Sequence, residues 1–246
     1  MVKAISPESS FNDSVISNVA EVALGCGAKT VTGGWLKFMC YNLGATDFSK
    51  DPFVYDEAIL GGFHQWGRPG AASRDDSNFD NFTVANKYPL DWKVPNGYSA
   101  LFTDDLHPED NLWRTYRSAD DPCPTGWHVP SHADFESIFS GTPDAIYPEE
   151  AIANTWILTG SGGTAISRML TAYPDGSTKT LAFPYAGRRS PDGSFTNSNG
   201  GSYLWTSSLA GSHAIAAELG AGRLRVATAT ARAYALSIRC VPELQP

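Results

Sequence analysis

The sequence predicts a strand-rich α+β fold with few helices, and three observations point to it. The 246 residues include 23 Gly and 16 Pro, spread without a period, which indicates many turns. Several short stretches alternate apolar with other residues, as strands do. One stretch after Pro130 instead carries apolar residues at helical spacing. The 12% aromatic content, with seven Trp, indicates a packed core rather than disorder.

The first third of the chain predicts a lead-in, a strand and a long insertion. Residues 1–32 are polar and small, with apolar spacing that fits one short amphipathic helix, and residues 33–246 form the domain. Residues 34–43 place large apolar residues in alternation and predict the first core strand, which ends at Gly44. Residues 47–121 are aromatic, acidic and rich in turns, which is typical of irregular structure laid over a core.

A helix is predicted immediately after Pro130. Ser131 can cap it, and Asp134 follows three residues later, as in a capping box. Phe135, Ile138 and Phe139 then fall on one face. Further along, residues 165–170 predict a second short helix. Residues 181–195 predict a strand, a turn containing Asp-Gly and a return strand.

The two ends of residues 203–241 have residues typical of a strand anchored in a core, whereas the middle consists mainly of small residues. Ten Ala lie between Leu209 and Ala235, but glycines and β-branched residues interrupt a helical pattern, so strands and loops are predicted. In an alternating strand one face would hold the anchors Ala214, Leu219, Val226 and Leu236. The other face would project ligand contacts, namely His213, Ile215, Ala217, Arg223, Arg225, Thr228, Thr230 and Tyr234. Ile215 and Tyr234 could equally be core residues, and Arg232 and Arg239 are more typical structural partners of backbone carbonyls.

The charge distribution restricts the partner. The net charge is −8, but residues 203–246 carry four Arg against two Glu, so the acidic excess lies in the rest of the chain. Nucleic acid is disfavoured, because phosphate binding needs a basic field over the whole face. The locally basic end suits an acidic ligand. No run approaches the roughly 18 apolar residues of a membrane helix, so no membrane insertion is expected.

No metal, cofactor or enzymatic activity is expected. Asp76, Asn78 and Asp80 match the first ligand positions of a calcium loop, but Asn81 and Lys87 replace its Gly and Glu, which favours a solvated turn. No nucleophile lies beside a base at a defensible spacing. Four cysteines, at positions 26, 40, 123 and 240, form no CxxC motif, and their spacing leaves the pairing open.

Six pieces of the sequence resemble, in order, the signature of the Fibrobacter succinogenes major paralogous domain. The family has a strand ending in Asn-Leu, a Trp-Gly-Arg piece, Cys-Pro-x-Gly-Trp before a helix, a Gly-x-Arg and Asp-Gly-Ser-Phe segment, a Trp-Ser-Ser piece and a closing Arg-Cys-Val. The matching pieces are residues 35–43, 62–68, 122–130, 183–195, 203–208 and 237–241. The Cys-Pro-Thr-Gly-Trp run at residues 123–127 is the most specific of them.

The resemblance implies a C-type-lectin-like fold, that is, a mixed sheet with one or two helices, long loop insertions and adjacent termini. It also implies a surface-exposed bacterial or phage-borne binding domain, with an export signal lying outside these residues or removed. In an oxidising compartment Cys123 and Cys240 would form a disulfide. The sequence lacks the EPN, QPD and WND triplets of calcium-dependent sugar binding, and it lacks the copper-binding Cys pair of the formylglycine-generating enzymes.

Residues 203–241 are also similar to the variable region of proteins that retroelements diversify by mutating adenines in AAY codons. From Ser207 to Arg239, every residue except Glu218 belongs to the set that such mutation can produce. Random replacement should not yield ten Ala, so a region of fixed sequence remains the alternative.

Two functions are therefore expected in order of preference. The first is an extracellular or cell-surface adhesin or receptor-recognition protein that binds a protein or glycan on another cell or particle through residues 203–241. The second is a structural module of a pilus tip or phage fibre without a ligand of its own, docked through residues 1–32.

Overall fold

The computed structural model describes residues 26–67, 112–113, 117–139, 154–160, 168–174, 176, 178–190, 195–196, 201–211, 213–220, 223–232 and 234–243. Within these residues the chain forms several small sheets, one short α-helix and one 3₁₀-helix, so the strand-rich prediction is confirmed. No helix among the described residues is long and apolar enough to cross a bilayer. The amphipathic helix predicted in the lead-in and the Asp76–Asp80 turn lie outside the described residues.

Short strands make up most of the regular structure. In chain order they are β1 (Gly27–Lys29), β2 (Trp35–Lys37), β3 (His64–Gln65), β4 (Trp127–His128), β5 (Thr155–Thr159), β6 (Met169–Tyr173), β7 (Leu181–Pro184), β8 (Arg188–Arg189), β9 (Phe195–Thr196), β10 (Gly201–Ala210), β11 (His213–Gly220), β12 (Arg223–Thr230), β13 (Ala235–Leu236) and β14 (Val241–Pro242). The 3₁₀-helix is Glu57–Ile59 and the helix α1 is His132–Ile138.

Helix α1 begins where the sequence predicts it. The Ser131 hydroxyl accepts a hydrogen bond from the Asp134 N–H at 3.2 Å, and the Asp134 carboxylate accepts one from the Ser131 N–H at 2.6 Å. This capping box satisfies two backbone donors that the first helical turn leaves free. The helix buries Phe135 and Ile138, and Phe139 follows them into the core.

The strand ladders are antiparallel, and two isolated parallel bridges join them. The orders are β10-β11-β12, β3-β13-β8-β9, β5-β6-β7, β1-β2 and β14-β4. The predicted return strand is confirmed, because β8 pairs with β9. The second helix predicted over residues 165–170 is wrong at its end, since Met169 and Leu170 open β6 and pair with both β5 and β7. Strand pairing on two sides overrides a weak helical preference.

The long strand predicted over residues 34–43 is also wrong. Only Trp35–Lys37 is a strand, and it pairs with β1, which lies within the predicted lead-in. Beyond it the backbone N–H of Phe38 donates to the Cys26 carbonyl, whereas that of Met39 donates to the Cys240 carbonyl, both at 2.9 Å. The segment therefore changes partner at each residue, and it brings the first and last described parts of the chain together.

Two groups of buried side chains form the core. The first, which we call the helix cluster, surrounds α1 with Phe38, Phe135 and Phe183, whose ring centroids lie 5.8–6.1 Å apart. The second, the tryptophan cluster, contains Trp66 and Trp113 at a centroid distance of 5.4 Å, together with Trp205. The β10–β12 sheet contributes side chains to both clusters, so each of its faces is partly covered.

Candidate functional site

Strand β10 is the fixed support of the C-terminal sheet. Its first seven residues are buried, and it pairs with β11 along one edge. On the other edge the Gly201 carbonyl accepts from the Gly187 N–H at 3.1 Å, and the Tyr203 carbonyl accepts from the Ser237 N–H at 3.1 Å. Backbone hydrogen bonds on both edges and burial of its large side chains leave this strand little freedom to move.

The residues after Tyr203 connect β10 to three distant pieces of the sequence. The Trp205 indole N–H donates to the His64 carbonyl at 2.7 Å, and the Ser207 N–H donates to the Pro130 carbonyl at 2.8 Å. The Ser208 hydroxyl accepts from the His132 N–H at 3.0 Å, which satisfies a donor at the start of α1. This Trp-Thr-Ser-Ser run is therefore a structural junction.

The loop that begins at Asp121 is held by one buried carboxylate and one disulfide. The Asp121 carboxylate accepts from the Cys123 N–H at 2.8 Å and from the Val129 N–H at 3.0 Å. Burial raises the pKa of Asp121 above its ordinary value, against the opposing effect of these two hydrogen bonds. Cys123 is bonded to Cys240, the pairing that the resemblance implies. A second disulfide, which was not predicted, joins Cys26 to Cys40.

The β11–β12 hairpin has two different faces, because successive residues of a strand point to opposite sides. The helix face carries Ala217 and Leu219, which pack in the helix cluster beneath α1. The arginine face carries Glu218, which lies between Tyr203 of β10 and Arg225 of β12 in the strand register. A bulge in β12 sets two residues opposite Ala217, since Ala216 pairs with Thr228 but Glu218 pairs with Arg225.

The eight predicted contact residues do not form one surface. His213, Ile215 and Ala217 share the helix face, whereas Arg225, Thr228 and Thr230 share the arginine face. His213 and Ile215 are partly exposed. Arg223 is in β12, but its side chain lies outside the described residues.

Two of the predicted contacts are buried, and the expectation that they project into solvent is wrong. Ala217 is 0% exposed, because the helix cluster covers that end of the helix face. Thr230 is 7% exposed and pairs with Ala214, which packs in the tryptophan cluster on the arginine face. The four predicted anchors are all buried, but Ala214 and Leu219 lie on opposite faces of β11. Each face is thus covered at one end and open at the other.

The open end of the arginine face carries the polar residues of the hairpin. Arg225 and Glu218 are directly opposite each other, and both are partly exposed. Opposite charges at paired positions of a sheet attract each other. Thr228 is also partly exposed, but its hydroxyl oxygen is buried, and it pairs with Ala216 of the tryptophan cluster. This end of the sheet therefore displays two charged side chains on a backbone fixed by β10.

Arg188 extends this polar surface, and sequence reasoning did not select it. Its guanidinium carbon lies 4.6 Å from the Tyr203 ring centroid and 4.9 Å from that of Tyr234. Tyr234, a predicted contact, is partly buried against the tryptophan cluster and partly accessible. Arg188 is the unspecified middle residue of the Gly-x-Arg piece of the family signature, whose arginine is Arg189, so the signature gives no signal for Arg188. We call Arg188, Tyr203 and Tyr234 the tyrosine–arginine cluster.

Arg232 and Arg239, for which the sequence predicts structural roles, are both buried. Arg239 is fully buried, and it donates from Nε to the Asn42 side chain and from Nη1 to the Met39 carbonyl, each at 3.0 Å. Burial lowers the pKa of Arg239 to about 9, which still leaves the guanidinium charged at neutral pH. Arg232 is buried over the Trp66 ring, with a distance of 5.0 Å to its centroid. The structural role expected for Arg239 is confirmed.

Metal-binding side chains are not grouped in the part of the chain that the structure describes. No three His, Cys, Asp or Glu residues there lie close enough together to hold an ion. The four cysteines are all in disulfides. The open end of the arginine face and the tyrosine–arginine cluster carry arginine, tyrosine and glutamate side chains.

Comparison with known families matches most of the chain to a family. The family described as Fibrobacter succinogenes major domain matches residues 78–242 of the 246. The matched range includes α1, the Cys123–Cys240 disulfide and the whole β10–β12 sheet. No curated protein and no solved structure matches the chain.

Proposed function

The chain belongs to the Fibrobacter succinogenes major domain family, and we propose that it is a surface-displayed ligand-binding protein, an adhesin or receptor-recognition domain rather than an enzyme. The observation that carries the proposal is the open end of the arginine face, where the partly exposed Glu218 and Arg225 lie opposite each other on a hairpin. Their backbone is fixed by β10, which is buried and hydrogen-bonded along both edges. Rigid support lowers the entropic cost of binding, because the contact residues are already in place.

We further propose that the domain has a C-type-lectin-like fold. Three described features support it. The structure is rich in small sheets with one short helix. The first and last described segments lie side by side, through the bond of the Met39 N–H to the Cys240 carbonyl. Irregular chain, such as residues 38–56, is ordered over a core by hydrogen bonds and a disulfide.

An extracellular or cell-surface location is part of the proposal. Both pairs of cysteines form disulfides, and the described residues contain no free cysteine. Disulfides persist in oxidising compartments and are rare where glutathione keeps thiols reduced. The partner is accordingly a protein or glycan on another cell or particle, met outside the cytosol.

Arrays of surface proteins and glycans test the proposal. The wild-type domain should bind a subset of the array. A double variant, Arg225→Ala with Glu218→Ala, should lose that binding by at least about tenfold, because arginine contacts are frequent determinants of affinity. The matched control is His213→Ala, a partly exposed change on the helix face, and it should bind as the wild type does. Absence of wild-type binding, or loss of binding only in the control, would contradict the proposal.

Diversification by a retroelement is a separate proposal, which concerns how the ligand specificity of this face arises. The support is compositional, because residues 207–239 lie almost wholly within the set that adenine mutation can produce. Sequencing the encoding locus tests it. A neighbouring reverse transcriptase and a near-copy of the codons for residues 203–241, differing at adenines, are expected. Their absence would leave a binding domain of fixed specificity.

The alternative is a structural module of a pilus tip or phage fibre, and one observation favours it. Phe48 and Val54, on the irregular chain after Gly44, are 57% and 56% exposed, the highest values for large apolar side chains among the described residues. They could pack against a neighbouring subunit. Phe48→Ser with Val54→Ser would then abolish assembly into the appendage, whereas the ligand-binding proposal predicts normal assembly and array binding.

A further inference from the structure

Arg188 has aromatic neighbours and, among the residues that the structure describes, no anionic one. Its guanidinium carbon lies over the rings of Tyr203 and Tyr234, at 4.6 Å and 4.9 Å from their centroids. Its Nε is shielded from solvent and meets no hydrogen-bond acceptor among the described residues. No ion pair of this side chain occurs in that part of the chain either. The tyrosine rings attract the positive charge but accept none of its N–H groups in ordinary hydrogen bonds.

The three members of the tyrosine–arginine cluster come from separate elements that the backbone holds together. Gly187, directly before Arg188, bridges to Ser202, directly before Tyr203. The backbone carbonyl of Tyr203 in turn accepts a hydrogen bond from the Ser237 N–H, and Tyr234 immediately precedes β13. Ala235 of β13 pairs with Arg189. These backbone pairings hold the backbones of Arg188 and Tyr203 next to each other, and they place Tyr234 at the start of the neighbouring strand.

The charges around the cluster leave Arg188 available to an outside group. Glu218 is the carboxylate closest in register to Tyr203, and Arg225 stands directly opposite it in the strand pair. The C-terminal stretch has four Arg against two Glu, in a chain that is otherwise acidic. Arg232 and Arg239 are buried, so the positive charge at this surface is that of Arg188 beside the opposed Glu218 and Arg225, and it favours an anionic ligand group.

We propose that Arg188 is the anchor for a carboxylate of the ligand, held in position by Tyr203 and Tyr234. This inference rests on the proposed ligand-binding function and names the chemistry of its site. A carboxylate matches the planar donor fork of arginine and can accept two parallel N–H bonds. The neighbouring tyrosines and Arg225 are the residue types that dominate protein interfaces, so the carboxylate belongs to an acidic side chain of a protein ligand.

The test follows the arginine Nε–H signals of the ¹⁵N-labelled domain by NMR, with the Arg188 signal identified by its loss in Arg188→Lys. The probe is a blocked tri-glutamate peptide, and the matched control is a blocked tri-glutamine peptide. The Arg188 signal should move saturably with the first peptide and stay in place with the second. Arg188→Lys should bind tri-glutamate about tenfold more weakly, because the bidentate geometry is lost.

Two further variants separate the role of the rings from simple misfolding. Tyr234→Phe keeps the ring and should bind as the wild type does, whereas Tyr234→Leu should weaken binding several-fold with an unchanged pattern of other backbone signals. A shift that saturates equally with tri-glutamine, or binding unaffected in Arg188→Lys, would overturn the inference. An equal saturable shift with galacturonate would overturn the protein assignment and place the carboxylate on a sugar. Array binding that persists without any tri-glutamate shift would leave the proposed function standing and remove only the carboxylate anchor.

Discussion

Strand β10 and the β11–β12 hairpin are neighbours in one sheet, yet they are built differently. β10 carries Tyr203, Leu204 and Trp205, all buried, and is hydrogen-bonded along both edges. The hairpin is composed largely of alanine, threonine and other small residues, and each of its faces is covered at only one end. Large buried side chains carry most of the burial free energy. The comparison suggests that β10 determines stability, whereas the open ends of the hairpin can vary without unfolding the domain.

The disulfide beside β10 should have the largest effect on stability. Cys123–Cys240 closes a loop of 117 residues, whereas Cys26–Cys40 closes one of 14. Chain entropy predicts losses of about 5 and about 3 kcal/mol when each pair is changed to Ala. Urea unfolding of the two double variants measures the difference. Equal losses would show that local strain or residual structure, and not loop length, decides the contribution.

Trp205 should be the most sensitive single position of the sheet. Its side chain is fully buried, and its indole N–H bonds to the His64 carbonyl. Trp205→Ala should cost about 4 kcal/mol through the cavity and the unpaired carbonyl. Ile215→Ala on the partly exposed hairpin is the matched change, and it should cost about 1 kcal/mol. Comparable losses in chemical unfolding would remove the distinction between the two strands.

Asp121 offers a test of the loop that supports β10. Asp121→Ala leaves the buried N–H groups of Cys123 and Val129 without their acceptors, which should cost about 2–4 kcal/mol. Asp121→Asn retains one acceptor oxygen and should lose about half as much. Thermal unfolding of both variants measures their losses of stability. Equal losses in Asp121→Asn and Asp121→Ala would contradict the expected order.

The same carboxyl predicts a dependence on pH. Burial raises the pKa of Asp121 in the folded protein, so its carboxyl favours folding most below its unfolded pKa. That contribution is lost as the pH rises through the folded pKa. The stability advantage of the wild type over Asp121→Asn should therefore shrink as the pH rises above the ordinary aspartate pKa of about 4. An advantage that grows with pH over this range would show that the hydrogen bonds, and not desolvation, dominate the pKa of Asp121.

The smallest effects should separate covered from open positions within the hairpin. Ala217→Leu inserts volume beneath α1 and should cost about 2 kcal/mol. Ala229 is exposed and pairs with Ile215, so Ala229→Leu should change stability by less than about 0.5 kcal/mol. Unfolding midpoints of the two variants measure these changes in stability. A large loss at Ala229 would mean that something covers the open end of the helix face.

The parts of the structure that could be predicted depend on local chemistry or on a specific motif. Ser131 and Asp134 cap α1 through contacts three residues apart, so the sequence alone locates that helix. The pairing of Cys123 with Cys240 came from the Cys-Pro-Thr-Gly-Trp resemblance. The pairing of β8 with β9 was predicted from the Asp-Gly dipeptide that lies between them in the sequence.

The errors arose where distant parts of the chain decide the outcome. Ala217 has the same strand parity as Ile215, and only the position of α1 makes one buried and the other partly exposed. Residues 38–43 follow the partners that Cys26 and Cys240 offer, which alternation cannot reveal. Arg188 was missed because its role depends on two tyrosines that are distant in sequence.

The most direct test is a scan of all single substitutions at the described positions of residues 203–230, displayed on cells and sorted by resistance to protease. Tyr203, Leu204 and Trp205 should tolerate few replacements, and Ala214, Ala216 and Ala217 should accept only small residues. Ile215, Glu218 and Arg225, which are partly exposed, should accept nearly everything except proline. If Glu218 and Arg225 prove as restricted as Trp205, the arginine face is a structural surface, and the account of a variable contact face on a fixed strand is wrong.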